Sequence, residues 1–151
     1  MPHRPFTAPR LVLSALLALL LVVSSLGQES VVVRGKVVGV SDGNTVKVLV
    51  TDRQVIRVRI AFIDSPEMHQ AFGRRAKQAM SELVFGREGE LHTHGFDRYG
   101  RMLAQVYVDG KDAGLEMLQR GLASCYDRYL PEARADIQVN YRQTQEEARA
   151  K

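Results

Sequence analysis

The chain has 151 residues, 45% of them hydrophobic and 25% charged, with 21 Lys and Arg against 17 Asp and Glu for a formal net charge of +4. This length and apolar share suit one domain with its own packed core, and the single cysteine, Cys125, excludes an intramolecular disulfide. The net charge of +4 overstates the folded part, which comes to about +2 once an N-terminal segment, residues 1–27, is removed. So mild a balance argues against nonspecific binding through bulk charge, leaving clustered arginines as the source of any affinity for nucleic acid.

Arg4 and Arg10 precede an apolar run from Leu11 to Val23, followed by Ser24-Ser25-Leu26-Gly27. This is the layout of a secretory signal peptide, with small residues at Ser25 and Gly27 for cleavage. The run falls short of the roughly 20 residues a membrane span needs, and no cysteine follows it to carry a lipid. Removal of residues 1–27 takes Arg4 and Arg10 away, leaving 19 basic against 17 acidic residues, a net +2. An uncleaved N-terminal anchor is the alternative. Either way the domain, residues 28–151, is expected outside the cytoplasm, secreted or periplasmic, and free of the membrane once the leader is cut.

From Val31 to Val40 the chain is rich in β-branched residues, with glycines suited to bends in a curled sheet. Ser41-Asp42-Gly43-Asn44 is a hairpin turn, a second strand runs from Thr45 to Thr51, and Asp52-Arg53 turns the chain into a third, Gln54 to Phe62. Antiparallel pairing would place Asn44, at the head of the second strand, near Asp64, just past the third. The stretch from Arg57 to Glu67 sets Arg57 and Arg59 on one strand face and then breaks at Ser65-Pro66 between two carboxylates, Asp64 and Glu67. Guanidiniums on a strand beside carboxylates at a proline corner supply phosphate clamps, an anchor for a hard cation and a base for water. Metal-assisted attack on a phosphodiester needs those parts.

Beyond Glu67 the period changes: Phe72, Ala76, Ala79, Met80, Leu83 and Val84 recur at helical spacing, which predicts a helix over 71–85 ended by Gly86. Strands are expected over 90–94 and 101–108 with a turn at Asp97-Arg98-Tyr99-Gly100 between them, then a short helix over 113–120 capped by Gly121. A polar helix is expected over 131–150. Five short strands with a helix between the third and fourth point to a mainly β fold, a five-stranded barrel of the oligonucleotide-binding (OB) type with about three helices.

Asp42-Gly43-Asn44-Thr45, Arg59 to Glu67, Gln70-Ala71-Phe72-Gly73, Asp97-Arg98-Tyr99-Gly100-Arg101 and Gly121-Leu122-Ala123 stand in order at matching spacing. Together they resemble the thermonuclease, or staphylococcal nuclease, family over roughly Val37 to Tyr129. The resemblance implies calcium-dependent hydrolysis of DNA and RNA phosphodiesters with low sequence preference by a monomer with no stable protein partner. It implies that Arg59 and Arg101 contact the scissile phosphate, that Glu67 is general base or positions the water, and that Asp64 and the Ser65 carbonyl bind Ca2+. A planar fork of donors suits the crowded negative charge of a phosphorane-like transition state better than lysine would. Arg98, Tyr99 and Tyr129 fall near positions where the family binds the nucleotide, Tyr126 being a weaker candidate.

The departure is Asn44, where the family usually has a second calcium-binding aspartate. An amide oxygen can coordinate the ion but brings no charge. A noncatalytic module that binds nucleic acid without cleaving it is therefore the alternative, and a barrel turned to protein or ligand binding a third. The resemblance also implies an apolar segment past Ala148-Arg149, where this sequence stops at Lys151. The remaining candidates read as structural. Arg57 is expected to be solvated, His69 to flank a helix, and His92 and His94 to be surface positions short of a metal set. Cys125 is expected to be a small buried residue, and Met68, Met80, Met102 and Met117 to fill the core.

Overall fold

A computed structural model describes residues 30–151; the leader expected over residues 1–27 lies outside the described residues. Strands β1 (Val32–Asp42), β2 (Thr45–Thr51) and β3 (Gln54–Ile60) form an antiparallel meander, and β5 (Glu88–Phe96) and β6 (Met102–Val108) pair with each other. β5 also pairs with β1, and β3 runs parallel to β6 through Val58↔Met102, Arg59↔Leu103 and Ile60↔Ala104. That last pairing closes five strands into a barrel and leaves no open edge among them.

The alternation of the strands decides what fills the barrel. Val46, Val48, Val58, Ile60, Leu91, Ala104 and Val106 are fully buried, while Lys47 and Arg57 on the other parity are exposed. Each larger aliphatic side chain so buried is favoured by about 1.5 to 3 kcal/mol over exposure. β5 is longer than the expected 90–94 because Glu88 and Gly89 pair with Lys36 and Gly35 of β1 and Phe96 pairs with Met102 of β6, ladder contacts that carry the strand through glycines, which are poor strand formers.

Helix α1 (Gly73–Val84) buries Ala76, Ala79, Met80 and Val84, the i, i+3, i+4 stripe of the sequence. Phe72, expected within that stripe, instead caps the helix with φ 65° and is 60% exposed, under the Arg75 guanidinium. Met68 is likewise exposed, while Met80 and Met117 are in the core and Met102 packs against it. A two-residue strand, β7 (Lys111–Asp112), leads into α2 (Ala113–Gln119), and Asp112 caps that helix by accepting from the Gly114 and Leu115 N–H groups. The expected single helix over 131–150 is a 3-10 turn, Leu130–Glu132, followed by α3 (Ala135–Arg149).

α3 buries one residue, Tyr141. Its hydroxyl donates to Asp112 Oδ2 at 2.7 Å, and Gln105 Nε2 donates to the same oxygen at 3.0 Å. Burial, then the Asp112 carboxylate, pushes the Tyr107 hydroxyl up to about 12 and raises Tyr141 well above its ordinary value. This buried polar knot pins a mostly polar helix to the barrel. His92 and His94 are engaged by neighbours, while His69 is exposed ahead of α1. His92 stacks on Tyr107 at 4.6 Å, and His94 sits 3.2 Å from Gln105 Oε1 with its ring edge-on to Phe62 at 4.7 Å. Burial lowers the His94 pKa despite the Gln105 contact, so this residue is part of the packing as well as of the surface. Cys125 is buried as expected. Among the described residues no helix is long and apolar enough to cross a membrane.

Candidate active site

The site forms where β3 leaves the barrel. The Ile60 N–H donates to the Asn44 carbonyl at 2.8 Å and the Ala61 N–H to the Ala104 carbonyl at 2.8 Å. Phe62 then turns the chain with φ 66°, a conformation L-residues rarely adopt. After that turn β4 (Ile63–Asp64) pairs with β8 (Ser124–Cys125), and the Tyr126 N–H donates to the Phe62 carbonyl at 2.7 Å. The corner is thus clamped by the barrel and by the chain leading to α3. Gly43 sits against it: a Cβ there would lie 2.7 Å from both Ser65 Oγ and Ala76 Cβ.

Arg59 and Thr45 are direct cross-strand partners. Arg59 is 8% exposed, and its guanidinium lies 4.8 Å from the Tyr126 ring centroid, a cation–π contact that holds the charge without neutralising it. Its Nη2 donates to Asp64 Oδ1 at 3.3 Å and its Nη1 to the Ile60 carbonyl at 3.4 Å. Asn44, 7% exposed, donates through Nδ2 to the same Asp64 Oδ1 at 3.3 Å, and its Oδ1 accepts from Thr45 Oγ1 at 3.3 Å. Asp42 fixes the turn by accepting from the Asn44 N–H at 3.0 Å.

Arg101 enters from the other end of the chain. Its Nη1 donates to Thr45 Oγ1 at 3.3 Å, and its Nε donates to Asp97 Oδ2 at 2.7 Å. Burial opposes ionisation of Asp97, but hydrogen bonds from the Arg101 backbone and side chain and from the Tyr99 N–H outweigh it and hold the carboxyl below its ordinary value. Asp97 therefore stays charged and fixes the Arg101 fork. A continuous line of hydrogen bonds, Arg101–Thr45–Asn44–Asp64–Arg59, joins the two guanidiniums.

The family model described as staphylococcal nuclease homologue matches residues 57–151 of this chain. The chain belongs to the staphylococcal nuclease family. That places it in the nuclease class of hydrolases. An uncharacterized endonuclease of Haemophilus influenzae is 38% identical over 142 residues, which cover 94% of this chain and 75% of that protein. A micrococcal nuclease of Shigella flexneri is 44% identical over 105 residues, 64% of this chain and 60% of that one. Protein ParB of Escherichia coli is 40% identical over 122 residues, 75% of this chain and 67% of that one.

Within this nuclease fold the geometry sorts the residues singled out from sequence. Arg59, Asp64, Asn44 and Arg101 are brought together. Ser65 lies against Gly43 beside them. Glu67 is held by its backbone alone, its N–H donating to Gln70 Oε1 at 2.6 Å and its carbonyl accepting from the Gln70 N–H at 2.8 Å, and its side chain is exposed beyond Pro66. Tyr99 is 60% exposed, with the Arg98 guanidinium 4.8 Å and that of Arg101 5.6 Å from its ring centroid. Tyr129 lies under the Arg128 guanidinium, 5.6 Å from its ring centroid, and its ring meets that of Tyr126 edge-on at 5.2 Å; Tyr126, the weaker candidate from sequence, is the ring against Arg59. Sequence reasoning passed over Thr45 and Asp97 as site residues. The signal for Asp97 was its i, i+4 spacing to Arg101; for Thr45 only the pairing with Arg59 reveals it.

Among the described residues no three His, Cys, Asp or Glu side chains gather as a metal group. Residues of another kind could hold a hard cation at the corner, since the Asp64 carboxylate, an Asn44 amide oxygen and a Ser65 backbone carbonyl are all hard oxygen donors. Asp64 Oδ1 is taken by Arg59 and Asn44, while Oδ2 has no hydrogen-bond partner among the described residues and the side chain is 54% exposed. As placed, the amide turns Nδ2 to Asp64 and Oδ1 to Thr45. With the amide flipped, its oxygen beside the available Asp64 oxygen would fit a hard divalent cation with one charge fewer than a pair of carboxylates would bring.

Proposed function

We propose that this protein is an exported, calcium-dependent nuclease that hydrolyses DNA and RNA phosphodiesters with little sequence preference. The observation that carries the reading is the hydrogen-bonded line from Arg101 to Arg59, which preorganises two cationic forks on one face of the barrel. Both guanidiniums take the charge that builds on the phosphoryl oxygens, and because each is already fixed by a carboxylate, little reorganisation is left for the reaction. Glu67, exposed and with no side-chain partner among the described residues, orients a water or takes its proton as the water oxygen attacks phosphorus and the opposite P–O bond breaks. Asp64, Asn44 and the Ser65 carbonyl are the residues that would hold the ion. Calcium bound there would offset phosphate charge and acidify bound water. Arg98 and Tyr99 supply a phosphate contact and a stacking face indifferent to base identity.

The neutral Asn44 favours one other reading, a module that binds nucleic acid without cutting it. Cleavage of single-stranded DNA and RNA, followed across calcium concentrations with Glu67→Ala beside the parent, separates the two. Calcium-dependent cleavage by the parent and its loss in the variant support the nuclease. Folded parent that leaves the strand intact at calcium well above the millimolar range of weak sites, yet binds it in a salt-sensitive, calcium-independent way, refutes it.

A further inference from the structure

On the outer face of the barrel, the cross-strand pair after Thr45↔Arg59 is Lys47↔Arg57. Residues paired directly across antiparallel strands share one face at close range, and like charges placed there repel. Both side chains are exposed. Among the described residues neither joins an ion pair. Arg57 makes one hydrogen bond, Nη2 to the Tyr99 carbonyl at 3.3 Å, which draws it toward the Arg98–Tyr99 turn and leaves its charge unmatched. The neighbour of Lys47 on β1 is Gly39, and a Cβ there would already lie 3.4 Å from Lys47 Cδ. The Lys47 stem lies over Gly39, in ordinary contact with where a Cβ would stand, so the glycine lets the lysine lie along the sheet with its exposed ammonium on the same face as Arg57. Asp64 and Asp97, the carboxylates that fix Arg59 and Arg101, form no ion pair with Lys47 or Arg57.

An unrelieved like-charge pair on a rigid sheet, exposed to solvent and next in line to the clamp, is a poor device for stability and a good one for an anion. We propose that Lys47 and Arg57 form a second phosphate subsite, which takes the backbone phosphate one nucleotide away from the scissile one on a single strand. The proposal rests on the clamp reading of Arg59. The step along β3 from Arg59 to Arg57 is two residues, about 6.6 Å of strand, within the reach of one nucleotide of an extended chain. Arg57, solvated by the sequence reading, thereby becomes a binding residue that sets how long a substrate the enzyme prefers.

The test compares Lys47→Ala, Arg57→Ala, the double variant and a charge control, Arg149→Ala at the end of α3, all folded by circular dichroism. Binding of a fluorescent octathymidylate is measured by anisotropy over a salt series. KM is measured for that octanucleotide and for a dinucleotide with one phosphate. Each single variant is expected to weaken octanucleotide binding about two- to fivefold, the range for an exposed charged contact. The double variant should lower the slope of log Kd against log salt by about 0.7, the value for one phosphate contact on a single strand. Arg149→Ala should change neither. KM should rise more for the octanucleotide than for the dinucleotide. Equal losses on both substrates, an unchanged salt slope in the double variant, or the same effect from Arg149→Ala would overturn the subsite. Because the binding arm needs no turnover, a parent that fails to cleave refutes the nuclease reading and still leaves the subsite tested.

Discussion

Asn44→Asp restores a carboxylate where the chain carries an amide, and the structure says what this costs and what it gains. The amide donates to Asp64 Oδ1 at 3.3 Å; an aspartate there loses that donor and faces the Asp64 carboxylate with like charge. Two unit charges about 4 Å apart repel by about 4 kcal/mol at an effective dielectric near 20 and about 1 kcal/mol in water. Asp64 is 54% exposed and Arg59 donates to it, but Asn44 itself is 7% exposed, which places the penalty between those limits, about 1 to 4 kcal/mol. For a domain of this size that lowers the melting temperature by several degrees in chelator. Calcium reverses the sign, because two carboxylates then share one ion, and binding to the native state alone stabilises by RT ln(1 + [L]/Kd). The assay is thermal unfolding of parent and variant in chelator and along a calcium series, with cleavage measured in parallel. The variant should melt lower without calcium, gain more from calcium than the parent, and cleave at lower calcium. Equal melting in chelator together with an equal gain from calcium would refute the reasoning, because Asn44 would then be neither the partner of Asp64 nor a ligand.

Arg59→Lys keeps the charge but removes the fork and its contact over Tyr126, and kcat should fall by on the order of a hundredfold or more, as for loss of one preorganised donor; steady-state cleavage of single-stranded DNA checks it. Tyr141→Phe deletes the hydroxyl that donates to buried Asp112 at 2.7 Å and should cost about 1 to 3 kcal/mol, read as a lower urea midpoint at unchanged slope. Asp97 has a depressed carboxyl pKa in the folded state, so its stabilising contribution is present above its unfolded pKa of about 3.9 and is lost as pH falls through the lower folded value. Asp97→Asn should therefore flatten the loss of stability over that acid range, measured by urea unfolding at stepped pH, and loosen Arg101 enough to lower kcat.

The strands expected over 45–51 and 54–62 were legible because apolar and polar residues alternate with the pleat, the second ending at Ile60 where the chain turns at Phe62, and α1 because Ala76, Met80 and Val84 repeat at the helical period. The 3-10 turn before α3 was not, since Pro131 serves the first turn of a 3-10 helix as well as that of an α-helix. Nor was Phe72 as a cap: its apolar side chain sits at the right interval, and only the left-handed backbone at that position takes it out of the stripe. β8 could not be read, because a two-residue pairing carries no period.

For the site the division is similar. Residue types and local spacing determined the corner from Arg59 to Glu67, the Asp42–Thr45 turn and the Asp97–Arg101 loop, since each is set by bonds and sterics within a few residues. That Arg101 meets Thr45, that Tyr126 lies against Arg59, and that Lys47 and Arg57 stand together in line with the clamp was decided only by the tertiary structure. Those contacts depend on strand register and on the parallel closure of β3 against β6. Closure and register are settled by the summed packing of the whole barrel, to which no single segment holds the answer.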